Sequence, residues 1–332
     1  MSYIKKLESN SFQHLNQLKR LDLNWNQIEK IELNAFKGLD NLEELHLCSN
    51  KFIKIESNSF QHLNKLKKLE LRFNQIKEIQ LNAFKGLDNL EDLYILDNKL
   101  NKIESNSFQH LKKLTKLHLD FNKIKKVDSN GFQDLDNLEE LELVMNNLIK
   151  IDSNSFQHLK RLKKLNLNNN QIEKIEFNGF QGLDNLETLQ LYENKLIKIE
   201  SNSFQHLNKL KRLDLDSNQI EKIEVNSFQH LTKLKKLDLE NNRIEKICLN
   251  GFQGLDDLEE LNLNRNNLKK IESASFQNLE KLKKLNLSHN NIEDIDIMGF
   301  ENLESLEKLW FEGNPSTKIE LNLIQIMKKL KS

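Results

Sequence analysis

Thirteen asparagines stand 24 residues apart, from Asn26, Asn50, Asn74, Asn98, Asn122 and Asn146 through to Asn314, without one insertion. Each closes a phrase of the form L-x-x-L-x-L-x-x-N, first as Leu18, Leu21, Leu23 and Asn26, last as Leu306, Leu309, Phe311 and Asn314. A second ladder, beginning Phe12, Phe36, Phe60, Phe84, Phe108 and ending at Phe300, keeps the same interval. A fixed period of this length permits little except an array in which every unit packs on its neighbours. A chain of 332 residues would otherwise suggest two domains. A solenoid instead grows by adding units to one thin core.

Within a unit, Leu21-Asp22-Leu23 alternates apolar and polar residues, the pattern of a half-buried strand. A turn follows at Asn26, Ile28 and Ile31 continue the core, and Phe36, Leu39 and Leu42 lead to the next strand. Successive strands enter in the same direction, so the sheet is parallel. The intervening elements are bulkier than strands, which makes the stack curve with the strands inside. Residues 1–17 read as a partial repeat or cap, 18–314 as thirteen repeats, and 315–332 as a C-terminal cap with a short helix after Pro315. Each asparagine is expected to point inward, its amide bridging the backbones of adjacent repeats, because an amide both donates and accepts.

The phrase L-x-x-L-x-L-x-x-N-x-I/L, with a phenylalanine ten residues after each asparagine but the last, resembles the leucine-rich repeat family, typical 24-residue class. The resemblance covers essentially the whole chain. It implies an α/β repeat solenoid, a horseshoe with a concave parallel sheet of about 13 strands used for binding. The convex side would be irregular or short-helical. The phenylalanine spine resembles the extracellular repeats of Toll-like, Slit-like and adhesion receptors. The chain departs from those in lacking their cysteine-rich caps.

Charge narrows the partners. Fifty basic residues balance fifty acidic ones, which argues against a generic nucleic-acid or anionic-membrane binder. No stretch approaches 18 apolar residues, and MSYIKKLESN has no apolar run of a signal peptide. The two cysteines, Cys48 and Cys248, occupy different repeat positions, and Asn286-Leu287-Ser288 is the one glycosylation sequon. These features favour an intracellular setting over a secreted or cell-surface one. No phosphate loop, H-E-x-x-H or C-x-x-C occurs, so no cofactor or metal is expected.

Function is expected where the inner face varies. Beside the strand leucines of repeats 1 to 6 stand Trp25, Phe73, Tyr94, Leu96, Phe121, Val144 and Met145. Exposed apolar clusters of this kind mark interaction surfaces, and aromatic anchors dominate interface energies. Asp22, Glu70, Asp97, Asp120 and Glu142 would form an acidic rim. From repeat 7 onward the same columns turn bland, as at Asn166, Asn168, Asn169, Ser217, Asn262, Asn264 and Asn286. Trp25, Phe73 and Phe121 lie 48 residues apart, so a competing reading makes them duplicated template tucked against the turn. That 48-residue period also predicts a charge zipper through Arg20, Glu44, Lys68, Asp92, Lys116, Glu140 and Lys164. Catalysis or metal binding would centre on His118 with Asp120, Tyr94 and Glu142, but a regular sheet supplies no pocket for it. The expectation is a non-enzymatic module that holds a protein ligand on the concave face. The alternatives are a receptor-like or adhesion ectodomain and a structural or engineered scaffold.

Overall fold

The computed structural model describes residues 3–315, and the C-terminal cap expected over 315–332 lies almost wholly outside them. Three-residue strands recur every 24 residues, from Arg20–Asp22, Glu44–His46 and Lys68–Glu70 to Lys308–Trp310. They belong to one thirteen-stranded parallel sheet. The solenoid carries almost no helix. Among the described residues the only helical element is a 3-10 turn at Ile297–Phe300, capped by the Asp296 side chain.

The side opposite the main sheet is built differently from a helical layer. Two-residue strands form there, such as Lys6–Leu7 with Lys30–Ile31 and Lys54–Ile55 with Glu78–Ile79. Their isoleucines are buried while the lysines stay exposed. In-register pairing would set Lys6 directly against Lys30, a like-charge contact. Glu32 relieves it, lying 3.0 Å from Lys6 and 3.4 Å from Lys30. Asp128 does the same for Lys102 and Lys126, at 2.9 Å and 3.4 Å.

The chain divides into two compact units, Met1–Asn166 with Gln181–Leu183, and Leu167–Phe180 with Asp184–Ser332. In unit 1 the spine rings stack, with centroids 6.0 Å apart from Phe36 to Phe60 and from Phe84 to Phe108. In unit 2 the Phe180–Phe204 and Phe204–Phe228 spacings are 6.2 and 6.3 Å. Parallel strands sit about 4.7–4.9 Å apart. Each unit is therefore wider on its spine side than on its strand side, and the main sheet lines the inner curve of each.

Asn122 illustrates what the ladder does. Its Nδ2 donates to the carbonyls of Ile95 at 3.0 Å, Leu119 at 3.0 Å and Asp120 at 3.2 Å. Its Oδ1 accepts from the Leu100 N–H at 3.0 Å. Two of these groups belong to the preceding repeat and two to its own, so one side chain ties neighbouring repeats together. The same four-way pattern surrounds Asn50, Asn74 and Asn98. All four asparagines are buried. The histidines of the F-Q-H-L segments stitch the far side in turn, with His62 Nε2 bonded to Asn34 at 2.7 Å and His110 Nε2 to Asn82 at 3.0 Å.

Replacing Asn122 by Asp keeps the shape but turns the contacts of Nδ2 with three carbonyls into carbonyl–carboxylate repulsion. Each stranded group costs about 1–3 kcal/mol. Asn122→Asp should therefore lower stability by at least that amount in a denaturant titration. Phe84→Ala removes a fully buried ring from the spine and should cost about 3–5 kcal/mol in the same measurement.

Candidate functional site

The residue immediately before each ladder asparagine adopts a left-handed backbone. Trp25 has φ 57°, Phe73 56°, Phe121 52° and Met145 52°. The reason is geometric. The N–H of this residue still joins the sheet, Trp25 to the Cys48 carbonyl at 3.0 Å and Phe121 to the Val144 carbonyl at 2.9 Å. The chain must then turn at once to aim the asparagine inward. Asn, Asp and Ser accept that conformation more readily than large side chains do. Unit 2 fills the same column mostly with polar residues, among them Asn169, Ser217 and Asn241. Unit 1 places large apolar groups there against local preference.

Burial does not account for them either. Trp25 is 77% exposed, Phe73 51%, Phe121 48% and Met145 46%. They form a ridge along the C-terminal ends of the strands and do not enter the core. Side chains that satisfy neither backbone preference nor burial are candidates for a function. Ser49 and Asp97 stand between the aromatic rungs, and Asp97 is exposed.

The other expected site residues separate into two groups. Tyr94, Leu96 and Val144 are half-buried on the strand side of the ridge. Tyr94 stacks on His118 at 4.7 Å, with Lys68 Nζ 5.4 Å and the Arg72 guanidinium 5.6 Å from its ring centre. Asp120 and Glu142, expected at an acidic rim, are buried and engaged within the chain. Asp120 accepts from the Val144 N–H at 2.8 Å, and Glu142 meets Lys164 at 2.6 Å. Glu70 is buried as well, with Lys68 and Arg72 each at 2.6 Å and His46 at 3.2 Å. The cause is strand geometry: residues i and i+2 share a face, so the neighbouring cations fold onto the carboxylate. Of the expected rim only Asp22 and Asp97 remain exposed.

The zipper column keeps its register, Arg20 opposite Glu44 and Asp92 opposite Lys116. The ions do not all pair along it. Arg20 lies 3.6 Å from Glu44 and Lys164 3.1 Å from Glu140, but Lys68 turns to Glu70. Burial opposes the Glu70 charge, yet the bonds from Lys68, Arg72 and His46 outweigh it and hold the carboxyl down at about 2. Burial, with Asp120 nearby, keeps the Glu142 carboxyl above its usual range despite Lys164. His118 lies 3.7 Å from Asp120, but no group of three potential metal ligands comes together among the described residues. Nor is any helix among them long and apolar enough to cross a membrane.

Two features escaped the sequence reading. The first is a line of lysines two residues beyond the ridge. The Lys51 and Lys99 side chains are exposed and, among the described residues, bond only to neutral Gln27 and Gln75, at 3.2 and 3.3 Å. Lys123 is exposed on the same line. The second lies in unit 2, read as bland, where Asp214 pairs in register with Asp238 and both stand beside Asp216 and Glu240. Carboxylates at i and i+2 in two successive repeats were the signal. Burial first, then Asp238, Glu240 and Asp214, push the Asp216 carboxyl up to about 6, against a bond from Ser217.

The description "BspA type Leucine rich repeat region (6 copies)" matches residues 5–139 and 125–243. "Leucine rich repeat" matches 256–315 and "Leucine Rich Repeat" 233–255. No curated protein matches the chain. Among solved structures, it is similar to TLR13 from a TLR13–ssRNA13 complex, with TM-score 0.83 and 29% identity over 94% of this chain and 46% of that one. The chain thus spans about half of that protein. A leucine-rich repeat protein of Leptospira interrogans matches with TM-score 0.75 and 30% identity, over 97% and 80% of the two chains. A chain of the octameric complex of Latrophilin 3, Unc5D and FLRT2 (LRR) gives TM-score 0.70 and 26% identity, over 81% of each.

Asp216 supplies a test by pH. Its folded pKa lies above the ordinary value of 3.8, so the folded state holds the proton more tightly than the unfolded one. The associated stability is complete below pH 3.8 and is lost as pH rises through about 6. Asp216→Asn should therefore match the wild-type melting temperature near pH 3.8 and exceed it above about 6. Melting curves of both proteins across that window check the sign.

Proposed function

The chain belongs to the leucine-rich repeat family, and from that premise we propose that it is a non-catalytic binding module whose unit 1 holds a protein ligand. The contact surface is the ridge of Trp25, Phe73, Phe121 and Met145, with Tyr94, Leu96, Val144 and Asp97 at its edge. One observation carries this reading. Four large apolar side chains occupy a left-handed turn position that disfavours them, and solvent rather than core receives them.

The family and fold support a binding role. Structural relatives occur in assemblies with proteins, as in the octameric complex of Latrophilin 3, Unc5D and FLRT2, and in one case with RNA, as in the TLR13–ssRNA13 complex. The balanced charge of the chain and the apolar character of the ridge favour protein. Asp120 and Glu142 act in this reading from within, by fixing the Val144 backbone and Lys164 under the surface.

Phe73→Ser with Phe121→Ser tests it. Serine already occupies the same turn at Ser49 and Ser217, so the double variant should melt within a few degrees of wild type. Aromatic anchors at interface centres typically contribute about 2 kcal/mol or more each. Capture of a partner on immobilised protein should drop at least about thirtyfold. Undiminished capture by a folded double variant would place the contact elsewhere.

A further inference from the structure

We infer that the ligand segment on this ridge is an acidic, proline-containing chain in the polyproline II conformation, with an apolar residue at every third position. The inference rests on the ridge being the binding surface and specifies what it takes.

Spacing is the first argument. The ridge residues keep sheet spacing, because their N–H groups continue the ladder: Trp25 to Cys48, Ser49 to Arg72, Phe73 to Leu96, Asp97 to Asp120 and Phe121 to Val144. Trp25, Phe73 and Phe121 occur in alternate repeats, so successive aromatic rungs stand two strand spacings apart, about 9.5 Å. A polyproline II helix has three residues per turn and repeats a side chain every 9.3 Å or so. Over the two steps from Trp25 to Phe121 the mismatch is only about 0.4 Å. A β-strand ligand presents one face about every 6.6 Å and falls out of step. An α-helix returns to one face about every 5.4 Å, or about 10.8 Å over two turns, and drifts about 2.6 Å over the same two steps.

Hydrogen bonding is the second. The ridge N–H groups are already used within the sheet, so the surface offers side chains rather than a backbone edge. A polyproline II chain has no internal backbone bonds and stays solvated on its outer side, so it loses least on such a surface.

Charge is the third. Lys51 and Lys99 fall in the repeats between the aromatic rungs, and Lys123 beside Phe121. Most lysines of the K-I-E and K-I-D segments meet a carboxylate, as at Lys54–Glu56 and Lys150–Asp152. Among the described residues Lys51, Lys99 and Lys123 have no carboxylate partner. Three unneutralised cations outnumber the one exposed carboxylate of the ridge, Asp97, so the row complements a ligand that alternates apolar and acidic groups. The lysines, spaced with the aromatics, set the register of such a triplet.

The test uses the full chain and fluorescein-labelled peptides of about twelve residues, long enough to span the rungs. Leu-Pro-Glu triplets are compared by anisotropy with Leu-Pro-Lys triplets, with alternating Leu-Glu, and with single-stranded RNA of similar length. Leu-Pro-Glu is expected to bind tightest, to weaken as salt rises, and to lose about tenfold or more in affinity with Phe73→Ser/Phe121→Ser. Lys51→Glu/Lys99→Glu/Lys123→Glu should exchange the preference from Leu-Pro-Glu to Leu-Pro-Lys. Absence of Leu-Pro-Glu binding, equal binding of Leu-Pro-Lys, or tighter binding of alternating Leu-Glu overturns the inference. So does tighter binding of RNA that depends on the same aromatics. If the double serine variant loses a captured partner while no triplet peptide binds, the ridge stands as the binding surface and the polyproline II ligand falls.

Discussion

A single side-chain amide per repeat holds the solenoid together. The strands are only three residues long, and although pairing runs on to the turn, groups such as the Ile95 and Leu119 carbonyls and the Leu100 N–H find no backbone partner among the described residues. The ladder asparagine answers that with two amide hydrogens shared among three carbonyls and one accepted bond, divided between two repeats. A hydroxyl of similar size has one hydrogen to donate where the amide has two, and an aspartate would set like dipoles against one another. Once the asparagine is fixed, the residue before it has to take a left-handed turn, and the strand leucines before that have to face the core. The spine, the short second strands and the histidine–asparagine contacts then fill a geometry already imposed.

The same constraint creates the candidate site. A left-handed turn at the rim of the sheet exposes whatever side chain it carries, so this column can be varied without disturbing the core. Unit 2 fills it mostly with polar and charged residues, whereas unit 1 spends conformational preference on Trp25, Phe73, Phe121 and Met145. Asymmetry of this kind separates a scaffold position from a used one more clearly than hydrophobicity alone. The strand columns next to it carry charge, but most of that charge is consumed internally. Lys68, Arg72 and His46 all converge on Glu70, and Lys164 on Glu142. The ridge and the lysines beyond it, by contrast, stay exposed.

Much of the fold was legible in the sequence. The 24-residue period, the parallel sheet, the buried spine and the inward asparagines all follow from residue spacing. The site was legible as a set of positions but not as a surface. Trp25, Phe73 and Phe121 were picked out by their type, yet nothing in their spacing told an exposed ridge from template packed against a turn. Asp120 and Glu142 read as rim residues because their column faces outward. In the folded chain each sinks beneath a neighbour that binds it. The Asp214, Asp216, Asp238 and Glu240 group passed unnoticed because the acids are interleaved with leucines and separated by a full repeat.

The sequence by itself determined the repeat, its register and which residues form the core. These depend on a period, and a period is a property of the chain written out in one dimension. Tertiary structure alone decided which charges are spent and which are free. Lys68 lies in register with Asp92 yet bonds Glu70 at 2.6 Å, because a strand neighbour two residues along competes with one a full repeat away. That competition is settled by distances and by the share of water each carboxylate keeps, and neither is written in the order of the residues. The same competition leaves Lys51, Lys99 and Lys123 without carboxylate partners among the described residues, at the edge of an aromatic ridge that the core does not need.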